Sequence, residues 1–93
     1  MHIECRRWFD RKAVNTYYSV RLYDGNEERL IIPFAYGYGE QCLTGACDFI
    51  REEYNRENGQ NYTCDSVGSS TVFIREILGA TYSITDVARK KDL

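Results

Sequence analysis

The residues best suited to gripping a ligand lie in one run, Pro33-Phe34-Ala35-Tyr36-Gly37-Tyr38-Gly39-Glu40, where a strand-like segment hands over to a helix-like one. Its two glycines permit a sharp turn and close backbone approach. Its two tyrosines put flat faces and hydroxyls beside the unpaired N–H groups of a helix start. That combination suits something flat or anionic. It is neither a Walker loop nor a dinucleotide fingerprint, which need further glycines or a lysine at fixed offsets. A structural explanation competes: a tight connection whose tyrosines pack on a sheet, with Glu40 complementing the helix dipole and opposing any anion. Tyr38, between glycines, is the best single contact residue.

A second group is Arg6-Arg7-Trp8. On a strand Arg6 and Trp8 share one face and Arg7 takes the other. The first two can hold a base or a phosphate. Equally, Trp8 can be a core or interface residue between solvated arginines. Arg89, Lys90 and Lys91 read as a solvated tail, and join the basic group only if the first and last strands are neighbours.

Bond-making chemistry finds no set of residues. His2, the single histidine, reads as a frayed, exposed residue, so no Ser-His-Asp or Cys-His arrangement is expected. Glu27-Glu28 and Glu52-Glu53 are sequence neighbours whose side chains diverge, and read as solvated charges. Cys5, Cys42, Cys47 and Cys64 lack the closely spaced pairs of a zinc site. Cys42 and Cys47 point to different sides of a helix, and all four read as small core residues. The sequence therefore predicts no catalytic residue, no metal and no cofactor.

The elements that must carry these groups follow from periodicity. His2 to Phe9 reads as a first strand and Thr16 to Tyr23 as a second, with Tyr18, Val20 and Leu22 on one face and Tyr17, Ser19, Arg21 and Tyr23 on the other. Asp24-Gly25-Asn26 is a hairpin turn leading to a third strand, Arg29 to Tyr36, where Pro33 implies an edge or a bulge. A helix from about Glu40 to Arg56 buries Leu43, Ala46, Cys47, Ile50 and Tyr54, is weakened by Gly45 and stops at Asn58-Gly59. Residues 60–68 read as a polar loop. Ser70 to Leu78 has strand composition but helix boundaries, and is assigned as a short helix. Ala80 to Val87 is the last strand.

The expected fold is α+β: an antiparallel sheet of about four strands with one long and one short helix packed on one face, as a single domain over residues 1–93. The other face, carrying Tyr17, Tyr23 and Trp8, would be open to a partner or a second copy, so a homodimer is expected. At 43% hydrophobic and 28% charged the composition is globular. A net charge of −2 argues against nucleic-acid binding through overall positive charge. The sequence shows no secretory signal and no membrane-length apolar run. A cytoplasmic location with reduced thiols is the expectation.

Arg7-Trp8-Phe9, Asn15-Thr16-Tyr17 with Ser19-Val20, Pro33-Phe34 with Tyr36-Gly37-Tyr38-Gly39, and Arg89-Lys90-Lys91-Asp92-Leu93 occur here in that order. Together they resemble a group of small uncharacterised proteins carried by bacteriophages and other mobile elements. The resemblance omits residues 55–70 and brings no catalytic residue with it. It implies an accessory protein working in a bacterial host's cytoplasm, where such proteins often inhibit host machinery or neutralise defence. The expected function is non-enzymatic binding through an aromatic and basic patch of Arg6, Trp8, Tyr17, Tyr36, Tyr38 and Lys90. It would either inhibit a host defence protein or sequester a nucleotide-like ligand. The alternative is a nucleic-acid-binding accessory protein.

Overall fold

The computed structural model describes residues 1–60 and 72–93. Strands β1 (His2–Asp10), β2 (Asn15–Asp24), β3 (Glu27–Tyr36) and β4 (Thr81–Val87) form one sheet in the order β3-β2-β1-β4. The helix α1 (Gln41–Asn58) follows β3, a π-helical turn (Phe73–Ile77) precedes β4, and a 3-10 turn (Lys90–Asp92) ends the chain. The α+β class expected from the sequence is the class observed.

The first three strands are an antiparallel meander in which Arg6 faces Ser19, Trp8 faces Tyr17, and Tyr17 faces Tyr36. Gly25, at φ 64°, makes the tight β2–β3 turn. The sheet as a whole is mixed, which corrects the all-antiparallel expectation: β4 runs parallel to β1, with Cys5 opposite Ile84. The reason is the crossover. Because α1 carries the chain back along the sheet, β4 starts from the same end as β1 and must run the same way. β3 lies at one edge and slips register twice against β2, between the pairs of Tyr18, Val20 and Arg21. Pro33 is accommodated there, as its missing N–H requires.

One face of the sheet is the core. Ile3 and Cys5 of β1 and Tyr18, Val20 and Leu22 of β2 are buried against Cys42, Leu43, Ala46, Cys47 and Ile50 of α1. Phe73, Ile74 and Ala80 complete it, so the expected short helix contributes as a π-helical turn; residues 70 and 71 lie outside the described residues. The helical stripe is the expected one with Cys42 added, and Tyr54 meets Phe73 edge-on at 6.3 Å. Gly59 ends α1 in the left-handed region, its N–H returning to the Asn55 carbonyl. Gly45 has a packing reason: a Cβ there would collide with Tyr18 Oη. Cys5, Cys42 and Cys47 are buried, and Cys42 and Cys47 both reach the core despite their angular separation. Cys64 lies outside the described residues.

Two ion pairs tie the layers. Arg29 on β3 makes a two-pronged contact with Glu53 of α1, at 2.8 and 3.0 Å. Glu53 is therefore not the solvated charge expected of it. Arg7 binds both Asp86 oxygens on β4, at 2.7 and 3.2 Å, and donates to the Gly39 carbonyl at 2.8 Å. One guanidinium thus fastens β1 to β4 and to the turn before α1. Among the described residues no helix is long and apolar enough to cross a membrane.

Candidate functional site

The face away from α1 carries the aromatic residues. Alternation along β1 and β2 sends Arg6, Trp8, Tyr17, Ser19, Arg21 and Tyr23 to it, as the sequence predicts. Three rings from three strands form a row across it. Trp8 stacks on Tyr17 with centroids 5.9 Å apart, and Tyr17 stacks on Phe34 at 4.8 Å. Tyr36 meets Tyr17 edge-on at 5.8 Å. Such contacts add to sheet stability beyond simple burial. Phe34 and Tyr36 remain 46% and 59% exposed.

The end of the chain lies on this face: Arg89, Lys90 and Lys91 are exposed, as expected, but the backbone after them is docked. Arg6 Nη1 donates to the Asp92 carbonyl at 3.1 Å and Arg21 Nη2 to the Leu93 carbonyl at 3.0 Å. Lys90 Nζ stands 5.0 Å above the Phe34 ring, a cation–π contact. Ser19, on the same face, is fully buried with its Oγ accepting from Arg21. The parallel β1–β4 ladder is what brings both basic ends of the chain together. Arg6, however, is committed: besides Asp92 it binds Glu4 at 2.7 Å. It supports the tail and has little left for an external anion.

His2 is also corrected. It belongs to β1, half-buried, with Nδ1 2.7 Å from Thr81 Oγ1 and Nε2 3.1 Å from Ser83 Oγ, so it pins β1 to β4. Tyr38 does reach solvent, 63% exposed, but makes no ring contact among the described residues and stands apart from the aromatic row. Its backbone N–H donates to Gln41 Oε1 at 3.1 Å, so this segment serves first as a strand-to-helix turn. Gly39, at φ 65°, supplies the required backbone conformation, and Glu40 makes no side-chain cap.

A ligand-sized space opens at the β1–β2 turn, where Trp8 alone of the expected patch residues contributes. An open cleft of about 770 Å3 has Trp8, Phe9 and Val87 on its apolar side and Asp10, Arg11 and Lys12 on its polar side. Asp10 shapes the turn, its Oδ1 accepting from the backbone N–H of Lys12 at 3.0 Å and of Ala13 at 3.4 Å. The side chains of Arg11 and Lys12 make no hydrogen bond or ion pair among the described residues. The other arginines of the sheet, at 6, 7, 21 and 29, each face a carboxylate within 3.6 Å. Val14 closes the turn at φ 56°, a left-handed conformation that costs a β-branched residue roughly 1–2 kcal/mol. Strain of this kind concentrates where a loop is held for a purpose. The sequence signal was present in Trp8-Phe9-Asp10-Arg11-Lys12, but composition alone reads a polar connection there.

The core thiols show a different chemistry. The neighbouring Cys42 sulfur, together with burial, pushes the Cys5 thiol far up. Cys42 is drawn down, first by Cys5 and then by the amides at the start of α1. Both are closed off from solvent, so the pair is structural. Among the described residues no three His, Cys, Asp or Glu converge as a metal site. No protein-family model, curated protein or solved structure matches the chain.

Proposed function

We propose that the chain is a small non-enzymatic binding protein that sequesters a nucleotide-like ligand at the turn end of its sheet, a role in keeping with its resemblance to phage-borne accessory proteins. One observation carries this reading: aromatic faces and uncommitted cations meet around one cleft. Trp8 and Phe9 offer surfaces for a base, and Arg11 and Lys12 offer charge for phosphates. The volume lies within the range of small-molecule sites, roughly 300–1,000 Å3. Asp10 is the acidic residue of the cleft lining, and its carboxylate already accepts two turn amides.

Exposed apolar groups on β3 favour a second reading. Leu30, Phe34 and Tyr36 are 52%, 46% and 59% exposed at a sheet edge, which suits an anchor patch against a host protein. A nucleic-acid partner is weaker: the tail occupies the centre of the sheet face and the net charge is −2.

Trp8 is the only tryptophan, so its fluorescence reports on the cleft. Titration with nucleoside mono- and diphosphates and cyclic dinucleotides should give saturable quenching by at least one of them. Replacing Arg11 and Lys12 together by alanine should weaken that binding tenfold or more, since charge-assisted hydrogen bonds contribute roughly 1.5–3 kcal/mol each, and leave Tm unchanged. Absence of quenching, with no small added mass in native mass spectrometry of protein recovered from bacterial lysate, would overturn the reading. A stoichiometric host protein in the same spectrum would favour the second one.

A further inference from the structure

The two sheet edges are unlike each other. β3 has the features that stop an edge from recruiting another strand: Pro33, two register slips, and the charged run Glu27-Glu28-Arg29. β4 has none of them. Thr81-Tyr82-Ser83-Ile84-Thr85-Asp86-Val87 contains no proline, glycine or lysine, is rich in β-branched residues, and keeps one unbroken register along β1. Its single charge, Asp86, is already matched by Arg7. Among the described residues no strand lies outside it, so one row of its backbone N–H and C=O groups lacks a strand partner.

We propose that β4 pairs with β4 of a second copy, antiparallel about a two-fold axis at Ile84, joining two four-stranded sheets into one of eight strands. The sequence of the strand is complementary to itself about that point. Ile84 meets Ile84 of the other copy, apolar on apolar. Ser83 faces Thr85, and Thr81 faces Val87, with no charge among them. Tyr82, which is 41% exposed, faces Asp86, whose carboxylate side chain is 74% exposed and has acceptor capacity beyond Arg7. No like charges oppose each other in this register, and the Ser83–Thr85 pairs are of a kind that stabilises a sheet. A one-residue shift would place Asp86 opposite Ser83 and remove its match with Tyr82. The two-fold axis stands perpendicular to the sheet, so both helices share one side and both aromatic rows the other. The proposal does not rest on a ligand in the cleft, although Val87 belongs both to the paired strand and to the cleft lining.

Light scattering after size-exclusion chromatography should give twice the chain mass of 10.9 kDa. Replacing both Ser83 and Thr85 by lysine puts like charges opposite each other at two places and should give a monomer. The combination Ser83→Glu with Thr85→Lys opposes unlike charges and should restore the dimer; circular dichroism checks that both variants fold. Hydrogen exchange on the unaltered protein supplies a test that needs no variant: amides of residues 81–87 should gain protection as concentration rises. A monomeric native protein would overturn the proposal. So would a dimer whose β4 amides exchange at a concentration-independent rate, or a folded double-lysine variant that stays dimeric.

Discussion

Single residues in this protein owe their identity to close contacts. Gly45 sits mid-helix, where alanine is preferred by about 1 kcal/mol. That preference is overridden by the Tyr18 hydroxyl, which lies where a Cβ would be. Gly45→Ala should therefore lower stability, by roughly 1–3 kcal/mol as overpacked sites do, and do so much less in a Tyr18→Phe background. Urea unfolding of the unaltered protein, the two single variants and the double variant measures that coupling, and additive effects would refute the contact as the cause. From sequence Gly45 reads only as a weak point in a helix, because the neighbour that requires it is 27 positions away. Tyr18 itself was placed correctly by alternation, as were Val20 and Leu22. Arg6 was placed on the right face and given the wrong task, since nothing local reveals that Glu4 and the Asp92 carbonyl claim it. His2 looked frayed for the same reason: its partners Thr81 and Ser83 come from the other end of the chain.

Elements were legible wherever their signals are local. The three-strand meander, the long helix and its Gly59 stop follow from alternation, helical spacing and turn residues. The direction of β4 did not, because it depends on how the crossover runs and not on the composition of the strand. The ties between elements were equally invisible, and Arg29–Glu53 has a consequence for acid stability. Hydrogen bonding from Arg29 holds the Glu53 carboxyl below its ordinary value. A carboxylate whose pKa is lower folded than unfolded adds stability that is fully present above the unfolded value of about 4.3. That contribution is lost as pH falls through the folded value. Glu53→Gln should flatten the fall of Tm in this acidic window while lowering Tm modestly at neutral pH, as a partly exposed pair implies. An unchanged acid limb would mean that α1 and β3 are not coupled through this pair.

At the scale of the molecule, opposite ends of the chain cooperate on one sheet face. The tail contributes carbonyl acceptors to Arg6 and Arg21 and a cation to Phe34, and so replaces solvent over the middle of the aromatic side. Omitting residues 89–93 should lower Tm by roughly 5–10 °C, the size expected for two lost hydrogen bonds in a domain of this length. Binding in the cleft at the β1–β2 turn should survive that change. A Tm indifferent to the deletion would show that the tail does not add to the fold. The candidate site was legible in part by the same logic. Trp8, Tyr17 and Tyr36 came together because strand register follows from alternation, and Lys90 joined them only through the crossover. Tyr38 stayed outside.

The position of β1 between β2 and β4 has a consequence for how the protein is made. As the chain is synthesised β1 can pair at once with β2, but its other edge waits for a strand 79 positions later. Until that strand emerges the nascent chain carries an unfilled slot beside β1, the kind of edge through which chains misassemble. Only β4 closes it. The sheet is thus complete, or exposed to misassembly, according to whether β4 has arrived. Contacts of such long range should make that last docking the slow step of folding.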